Sequence, residues 1–438
     1  MKKKFIYLIV FIGLIFSSCS SDYDYSTDID TNEISFVTLT TNEEDKRIFG
    51  NEETVTFHLI NDSNNSDVSD AATFYIDGES ILGNEFIFEE TGTYTISANI
   101  NDIQSNSLEI EIVGSNYVIV DSPKVLKGQT INFKSYSVNG SDITLESTFI
   151  VNNTPISGSE FQNNQTGMYN VKALYQGSNS NTANFKIFSL KNKVVLEDYT
   201  GDWCGWCPRV LLVVDEVKEV TDDVVVLAIH KNDVMESSQA DALIDAFNVG
   251  ASLPKLRANR TENINVIQDS QIPNAVQNIT SQAGIEISVG LAINTKLNGN
   301  NLNVEVQILS EENLPSNYRL AVYLYQDNLV FPQTNYYNDI EGSKWYQQGE
   351  HIEDFVHNHV LETSLTNNIL GDEIPTVSSY TVSSKNFGSI DLSGYAHYEN
   401  GNTFDPNNFG VAVFLVDENN TAINAQAVKA GESIDFDE

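Results

Sequence analysis

Cysteine is scarce, with three residues in a chain of 438. That excludes a disulfide framework and a four-cysteine zinc site. Basic residues are scarce as well: 23 Lys and Arg stand against 61 Asp and Glu, a formal net charge of −38. Such a surface repels phosphate backbones, so nucleic acid is not an expected partner. No glycine-rich phosphate loop and no nucleophile-elbow pattern occurs. The apolar run from Phe5 to Phe16 is too short for a membrane span, which needs about 20 residues. What is present, 41% hydrophobic and 10% aromatic residues, is enough for folded domains rather than disorder. The acidity reads as solubility outside the cell.

Met1 is followed by Lys2, Lys3 and Lys4, then by the apolar run, then by Ser17, Ser18 and Cys19. A positive start, a short apolar stretch and small residues before a cut site describe a secretory signal peptide over residues 1–18. Cys19 at the cut site resembles the lipobox of bacterial lipoproteins, in which the cysteine is diacylated and becomes the new N-terminus. Phe16 stands where that pattern usually has Leu, and an ordinary signal peptide with an incidental Cys19 is the alternative. The resemblance implies a membrane partner through an N-terminal lipid anchor; two or three acyl chains hold firmly where one holds marginally. Residues 19–32 are rich in Ser, Asp, Tyr and Thr and read as a tether. Asp22 and Asp24 resemble the acidic surface-export signals of some Gram-negative lipoproteins, and Ser rather than Asp follows Cys19. The expected location is an outer-membrane lipoprotein, on the periplasmic face or the cell surface.

Residues 33–188 contain an internal repeat. Thr73-Phe74 returns as Thr148-Phe149, Phe86 as Phe161, Thr91-Gly92-x-Tyr94 as Thr166-Gly167-x-Tyr169, and Ser105-Asn106 as Ser180-Asn181, always 75 residues on. Tandem copies of one small domain follow, over 33–113 and 114–188. Short alternating runs such as Tyr94, Ile96, Ala98 and Leu108, Ile110, Ile112, separated by Asn/Gly/Asp turns, predict immunoglobulin-like β-sandwiches. The Gly-x-Tyr element resembles their tyrosine-corner region; a buried Tyr packing a strand is the plainer reading. Spacers are the expected role of these repeats.

From Lys193 the period changes. Val194 to Tyr199 reads as a buried strand, and Val210, Val213, Val214, Val217 and Val220 predict a helix from about Cys204 to Val220. Val224 to Ile229 is an uninterrupted apolar run typical of a central parallel strand. Helical stretches are expected near 237–247 and 262–282, which makes 189–283 an α/β unit. After Gly284 alternation returns, with a turn at Asn298-Gly299 and strands near 320–325, 411–416 and 423–428. Residues 284–438 are expected to form a C-terminal β-sandwich, so the fold class is multidomain: two β-sandwich repeats, an α/β domain and a β-sandwich.

The other two cysteines, Cys204 and Cys207, form a CxxC where the first strand hands over to the helix. Two cysteines placed at random would take this spacing about once in two hundred chains of this length. A helix N-terminus stabilises a thiolate. Lowering a thiol pKa by about 1.5 units, ~2 kcal/mol, makes about a third to a half of it nucleophilic at pH 7. Cys207, one turn further in, would resolve a mixed disulfide. An inert structural disulfide is the alternative.

The segment Asp198 to Pro208 resembles thioredoxin-like proteins. Trp203 precedes the nucleophile as it does there, and Asp198, six residues before Cys204, matches the buried carboxylate that serves the resolving thiol. Leu253-Pro254 matches the cis-proline element that binds substrate backbone. Strand alternation alone leaves open whether Asp198 or Glu197 points inward. Over about residues 190 to 430 the chain resembles a family of thioredoxin-like outer-membrane lipoproteins, the 28-kilodalton outer membrane protein family. The shared residues are Leu196-Glu197-Asp198-Tyr199-Thr200-Gly201, Cys-Gly-Trp-Cys-Pro, Asn259-Arg260 and His357-Asn358-His359-Val360-Leu361. The resemblance implies a thiol–disulfide oxidoreductase without a cofactor, acting on protein thiols or disulfides. In it Cys204, Cys207, Pro254 and Asp198 are the catalytic set, and Trp203, Trp206 and Leu253 meet the substrate; Trp206 serves equally as a cover. The competing class is a non-enzymatic surface protein whose β domains bind a protein or glycan. Arg257 and Arg260 flank a groove or are solvated strand arginines. His230 approaches the site or is a hydrogen-bonded structural histidine. His351, His357 and His359 lie beside Glu350, Glu353 and Asp354, but loop packing is a plainer role for them than a metal, and no metal is expected.

Overall fold

The computed structural model describes residues 34–42, 46–250, 252–264 and 266–438. The signal peptide, Cys19, Asp22, Asp24 and the tether lie outside the described residues. The chain divides into two compact units, one reaching to Ile119 with Ser135–Ile143 and Ser178–Asn181, the other holding Val120–Lys134, Thr144–Gly177 and Thr182–Glu438. The division passes through the second repeat instead of between the repeats.

In the first unit, Ile48–Gly50, Leu108–Val113, Gly92–Ile100, Thr73–Ile76 and Glu79–Ile81 lie side by side in that order. Val37–Thr41 pairs with Thr54–Asn61 in a second sheet. Alternation puts Leu39, Phe57, Phe74, Ile96 and Ile110 into one core. In the second unit Lys124–Leu126, Ala183–Phe188, Gly167–Tyr175, Thr148–Val151 and Thr154–Pro155 repeat the order. Phe133, Phe149, Phe161, Tyr169 and Phe185 pack ring against ring between the layers. The tyrosine-corner resemblance acquires a geometric basis. Tyr94 donates to the Glu90 carbonyl at 3.0 Å and Tyr169 to the Gln165 carbonyl at 2.8 Å, each four residues upstream.

The rest of the second unit is built from β1 (Val194–Thr200), α1 (Pro208–Val220), β2 (Val224–His230), α2 (Ala240–Ala246), β3 (Lys255–Ala258), β4 (Glu262–Ile264) and α3 (Ile272–Thr280). It continues with β5 (Val289–Asn298), β6 (Asn301–Ser310), β7 (Arg319–Gln326), β8 (Val360–Ser364), β9 (Ser383–Asp391), β10 (Phe409–Val416), β11 (Ala422–Lys429) and β12 (Ser433–Ile434). Two expectations need correction. The helix begins at Pro208, not Cys204, because Pro has no N–H to lose at the first helical position. The stretch expected to be helical from Glu262 opens instead as β4, which completes a hairpin with β3, and only Ile272–Thr280 is α-helical.

The larger revision concerns the boundary at 283/284. Nine strands form one sheet, in the order β4-β3-β1-β2-β8-β7-β10-β11, with Asp372–Glu373 added beside β7. β1 and β2 are parallel, and β8 continues parallel to β2 through Ala228 and Val360. The C-terminal strands therefore extend the α/β sheet. The C-terminal sandwich is real, but one of its layers is this shared sheet and the other is β9-β6-β5-β12. Along β7, Leu320, Val322 and Leu324 face the second layer, while Ala321, Tyr323 and Tyr325 share a core with α2. On the sandwich side of the sheet's α/β half, α1 and α3 cover Val194, Leu196 and Val226.

A buried ion pair ties the two halves. Arg260 Nε donates to Glu197 Oε1 at 2.9 Å and its Nη2 to the Tyr323 hydroxyl at 2.6 Å, with both charged side chains wholly buried. The rings of Phe247, Tyr323 and Phe414 lie 5.0–5.5 Å from the guanidinium. Arg257 is also buried, donating to the Phe247 and Arg260 carbonyls and to Asn263. Neither arginine is a solvated or groove-lining residue: Tyr323 and Phe414 of the C-terminal strands enclose Arg260, and Phe247 and Asn263 enclose Arg257. Arg260→Met leaves Glu197 buried without its cation and is expected to cost about 3–5 kcal/mol. A urea midpoint shift equivalent to less than ~1 kcal/mol would show that the pair does not hold the sheet together.

Candidate functional site

β1 ends at Thr200, and two successive four-residue turns carry the chain from Gly201 into α1. Cys204 N–H donates to the Gly201 carbonyl and Cys207 N–H to the Cys204 carbonyl, each at 3.0 Å. Cys207 is thus the residue before α1, and Cys204 stands one turn earlier. The helix dipole, which fades within a turn, acts on Cys204 across that interval. The two cysteines form a disulfide; Cys204 is 5% and Cys207 2% exposed.

The flanking tryptophans are the exposed part of the site, at 43% for Trp203 and 39% for Trp206. Trp203 Nε1 donates to the Lys231 carbonyl at 2.7 Å. With Leu253, Ile244, Lys231, Asp245 and Asn248 it lines a groove of about 470 Å³. Leu253 precedes Pro254 through a cis bond. Trp206 belongs to a different group. Its ring meets Tyr336 and Tyr337 edge-on at 5.4 and 5.3 Å, and the Arg209 guanidinium lies 5.1 Å from it. Arg209 and the Tyr337 hydroxyl both reach Asp269.

Asp198 and Glu197, between which alternation could not choose, are both buried, on opposite faces of β1. Glu197 is the ion-paired one. Asp198 is fully buried, and its Oδ1 has no hydrogen-bond partner among the described residues. Burial pushes its carboxyl up from 3.8 to about 8. It lines a cavity of about 270 Å³ with Leu211, Val214, Lys218, Phe355 and His359. Lys218 Nζ lies 2.7 Å from His359 Nε2, and burial lowers the Lys218 ammonium.

His230 hydrogen-bonds Asp233 at 2.7 Å, and the Asp233 carboxylate also accepts from the Asp202 N–H and the Met235 N–H, each at 2.9 Å. His357 packs against His230, and burial pushes it down to about 3. His359, at φ 58°, turns away to pair with Asp327, and His351 is exposed. Among the described residues no group of three His, Cys, Asp or Glu is placed to hold a metal ion.

Sequence reading did not find the segment that covers the turn. Gln333, Thr334 and Tyr336, in the connection between β7 and β8, hydrogen-bond the carbonyls of Gly201, Asp202, Cys204 and Gly205. The Tyr336 ring lies so close to Gly205 that a Cβ there would be 2.4 Å from it. The glycine inside the CxxC was the only local trace of this approach.

A four-stranded sheet in the order β4-β3-β1-β2, with α1 and α3 on one face and α2 on the other, is thioredoxin-like, and the CxxC sits at its strand-to-helix turn. Residues 240–434 match the family model of the outer membrane protein Omp28. That stretch, which starts after the CxxC and runs through the shared sheet, is similar to the Omp28 outer membrane protein family. No curated protein is a significant match. Among solved structures it is similar to HBP35 of Porphyromonas gingivalis, at 18% identity and a TM-score of 0.41 over 55% of this chain and 76% of that one. The adhesin InvE of Yersinia pseudotuberculosis matches at 11% and 0.14, over 34% of this chain and 58% of that one. Murine CEACAM1b matches at 12% and 0.13, over 35% and 100%.

The raised Asp198 carboxyl has a consequence for stability. The folded state holds a proton there that the unfolded chain releases above about pH 4, so folding stability is lost as pH rises from about 4 to about 8. Asp198→Asn is expected to match wild type near pH 3 and to gain several kcal/mol over it by pH 9, read from urea midpoints. A constant difference across that range would contradict the burial argument.

Proposed function

We propose that this outer membrane protein is a lipid-anchored thiol–disulfide oxidoreductase that acts on protein thiols and disulfides through Cys204 and Cys207. One observation carries the reading: the CxxC stands at the strand-to-helix turn of a thioredoxin-like sheet, with the uncompensated Asp198 carboxyl buried on the strand that leads into it. In the reducing direction the Cys204 thiolate attacks a protein disulfide, forming one S–S bond as another breaks and releasing one substrate thiolate. The Cys207 thiol gives its proton to Asp198 and attacks the mixed disulfide. The Cys204–Cys207 bond forms, the second substrate thiolate leaves, and the substrate has gained two electrons. A protein dithiol drives the reverse. A carboxyl that titrates near neutral pH can take and return that proton. Trp203 and Leu253 would receive substrate in their shared groove, with Pro254 presenting backbone beside it. Acylated Cys19 would place the domain at the outer membrane.

One observation favours a second reading. Both sulfurs are nearly buried, as in a structural disulfide of a surface protein whose β domains bind a protein or glycan.

Cys207→Ser, expressed in the native cells, is expected to accumulate mixed disulfides through Cys204 that are absent from Cys204→Ser. If no adduct forms while the wild-type disulfide resists glutathione, the enzyme reading fails and the second takes its place.

A further inference from the structure

Gln333 is 129 residues from Cys204 in sequence. Its buried side chain nevertheless sits against the active turn, with Nε2 donating to the Asp202 carbonyl at 3.0 Å and the Cys204 carbonyl at 3.1 Å. The next residues add backbone donors. Thr334 N–H reaches the Asp202 carbonyl at 2.8 Å and Tyr336 N–H the Gly205 carbonyl at 3.1 Å. The carbonyls that flank Cys204 along the chain are thereby met by one short segment of the C-terminal region.

Such oxygens carry partial negative charge, and in a site shielded from water their orientation weighs on any anion beside them. A donor that engages them draws that charge away and keeps them from turning toward the sulfur. The effect falls on the reduced state, because only there does the site hold a thiolate; in the disulfide there is no charge to oppose. We infer that Gln333 is a positioning residue for the dithiol, fixing the Asp202 and Cys204 carbonyls so that the Cys204 thiolate, and with it the reduced form, is favoured. This rests on the oxidoreductase reading only in taking the thiolate as the reacting species. The other charged or titratable groups near the turn are Asp202, Asp233, His230, His357, Lys231, Asp198, Arg209, Tyr336 and Tyr337. Gln333→Met leaves their number and charge unchanged, so its difference from wild type reads the loss of the amide donor.

The test uses the full chain with Gln333→Met, similar in length without a donor, and Gln333→Glu, the same shape with an acceptor toward the carbonyls. Iodoacetamide alkylation of Cys204 against pH, read by peptide mass, is expected to shift upward by about half to one pH unit in Gln333→Met and further in Gln333→Glu. Equilibration with glutathione is expected to move about three- to tenfold toward the protein disulfide, each reduction converting two glutathione thiols to one glutathione disulfide. If Gln333→Met does not fold, Gln333→Leu, likewise without donor or charge, carries the test. A folded variant with an unmoved alkylation profile and equilibrium overturns the inference. A wild-type protein that alkylates normally but exchanges with no protein disulfide removes the oxidoreductase reading alone.

Discussion

Much of the second unit depends on how the open edge of β2 is closed. A four-stranded thioredoxin-like sheet leaves β2 with an unpaired side, a template for unwanted pairing. Here β8 takes that edge in parallel through Ala228 and Val360, and β7, β10 and β11 follow. The added strands bring apolar side chains on both faces, so β7 and β10 become central strands of a longer sheet. On the face shared with α2, burial would leave Glu197 an isolated charge; Arg260 from the turn after β3 and Tyr323 from β7 meet it. The pair spans the expected boundary between α/β domain and sandwich, which is why the two behave as one body.

The same closure shapes the candidate site. Once β7 and β8 are neighbours in the sheet, the chain between them must loop back from one to the other. Its Trp345 and Phe355 settle with Leu211 and Leu212 of α1. Its Gln333 and Tyr336 settle on the CxxC turn. The cysteines, Asp198 and Pro254 come from the α/β half, but the cover over the CxxC turn comes from the C-terminal half. A similar dependence appears at the second repeat, where Leu126 and Phe188 share a cluster with Leu190 and Leu309. Lys186 also reaches Glu438 there, at 2.6 Å.

What the sequence disclosed was whatever has a local period. The strand–helix–strand run from Val194 to His230 and the hairpin around Gly299 are written in the spacing of their apolar residues. The doubled sandwich is written in its 75-residue offset. What it withheld were pairings between distant segments. Nothing near Val360 says that it will meet Ala228, and nothing near Gln333 says that it will meet Cys204. Arg257 and Arg260 looked solvated because charged strand residues usually are; distant strands bury Arg260, and Phe247 with Asn263 buries Arg257. Glu262 read as the start of a helix because α3 follows so soon. Its neighbourhood becomes a strand because β3 offers it a partner.

The central claim is that Cys204 and Cys207 are a working redox couple, and their reduction potential tests it most directly. Equilibration of the full chain with graded glutathione buffers, with the protein thiols read by alkylation and mass, measures it without knowing the substrate. An exchange-active couple is predicted to lie in the range of known oxidoreductases, from about −270 to about −120 mV. A value below about −300 mV, where structural disulfides lie, would contradict the account and leave the bond as a brace beneath Tyr336.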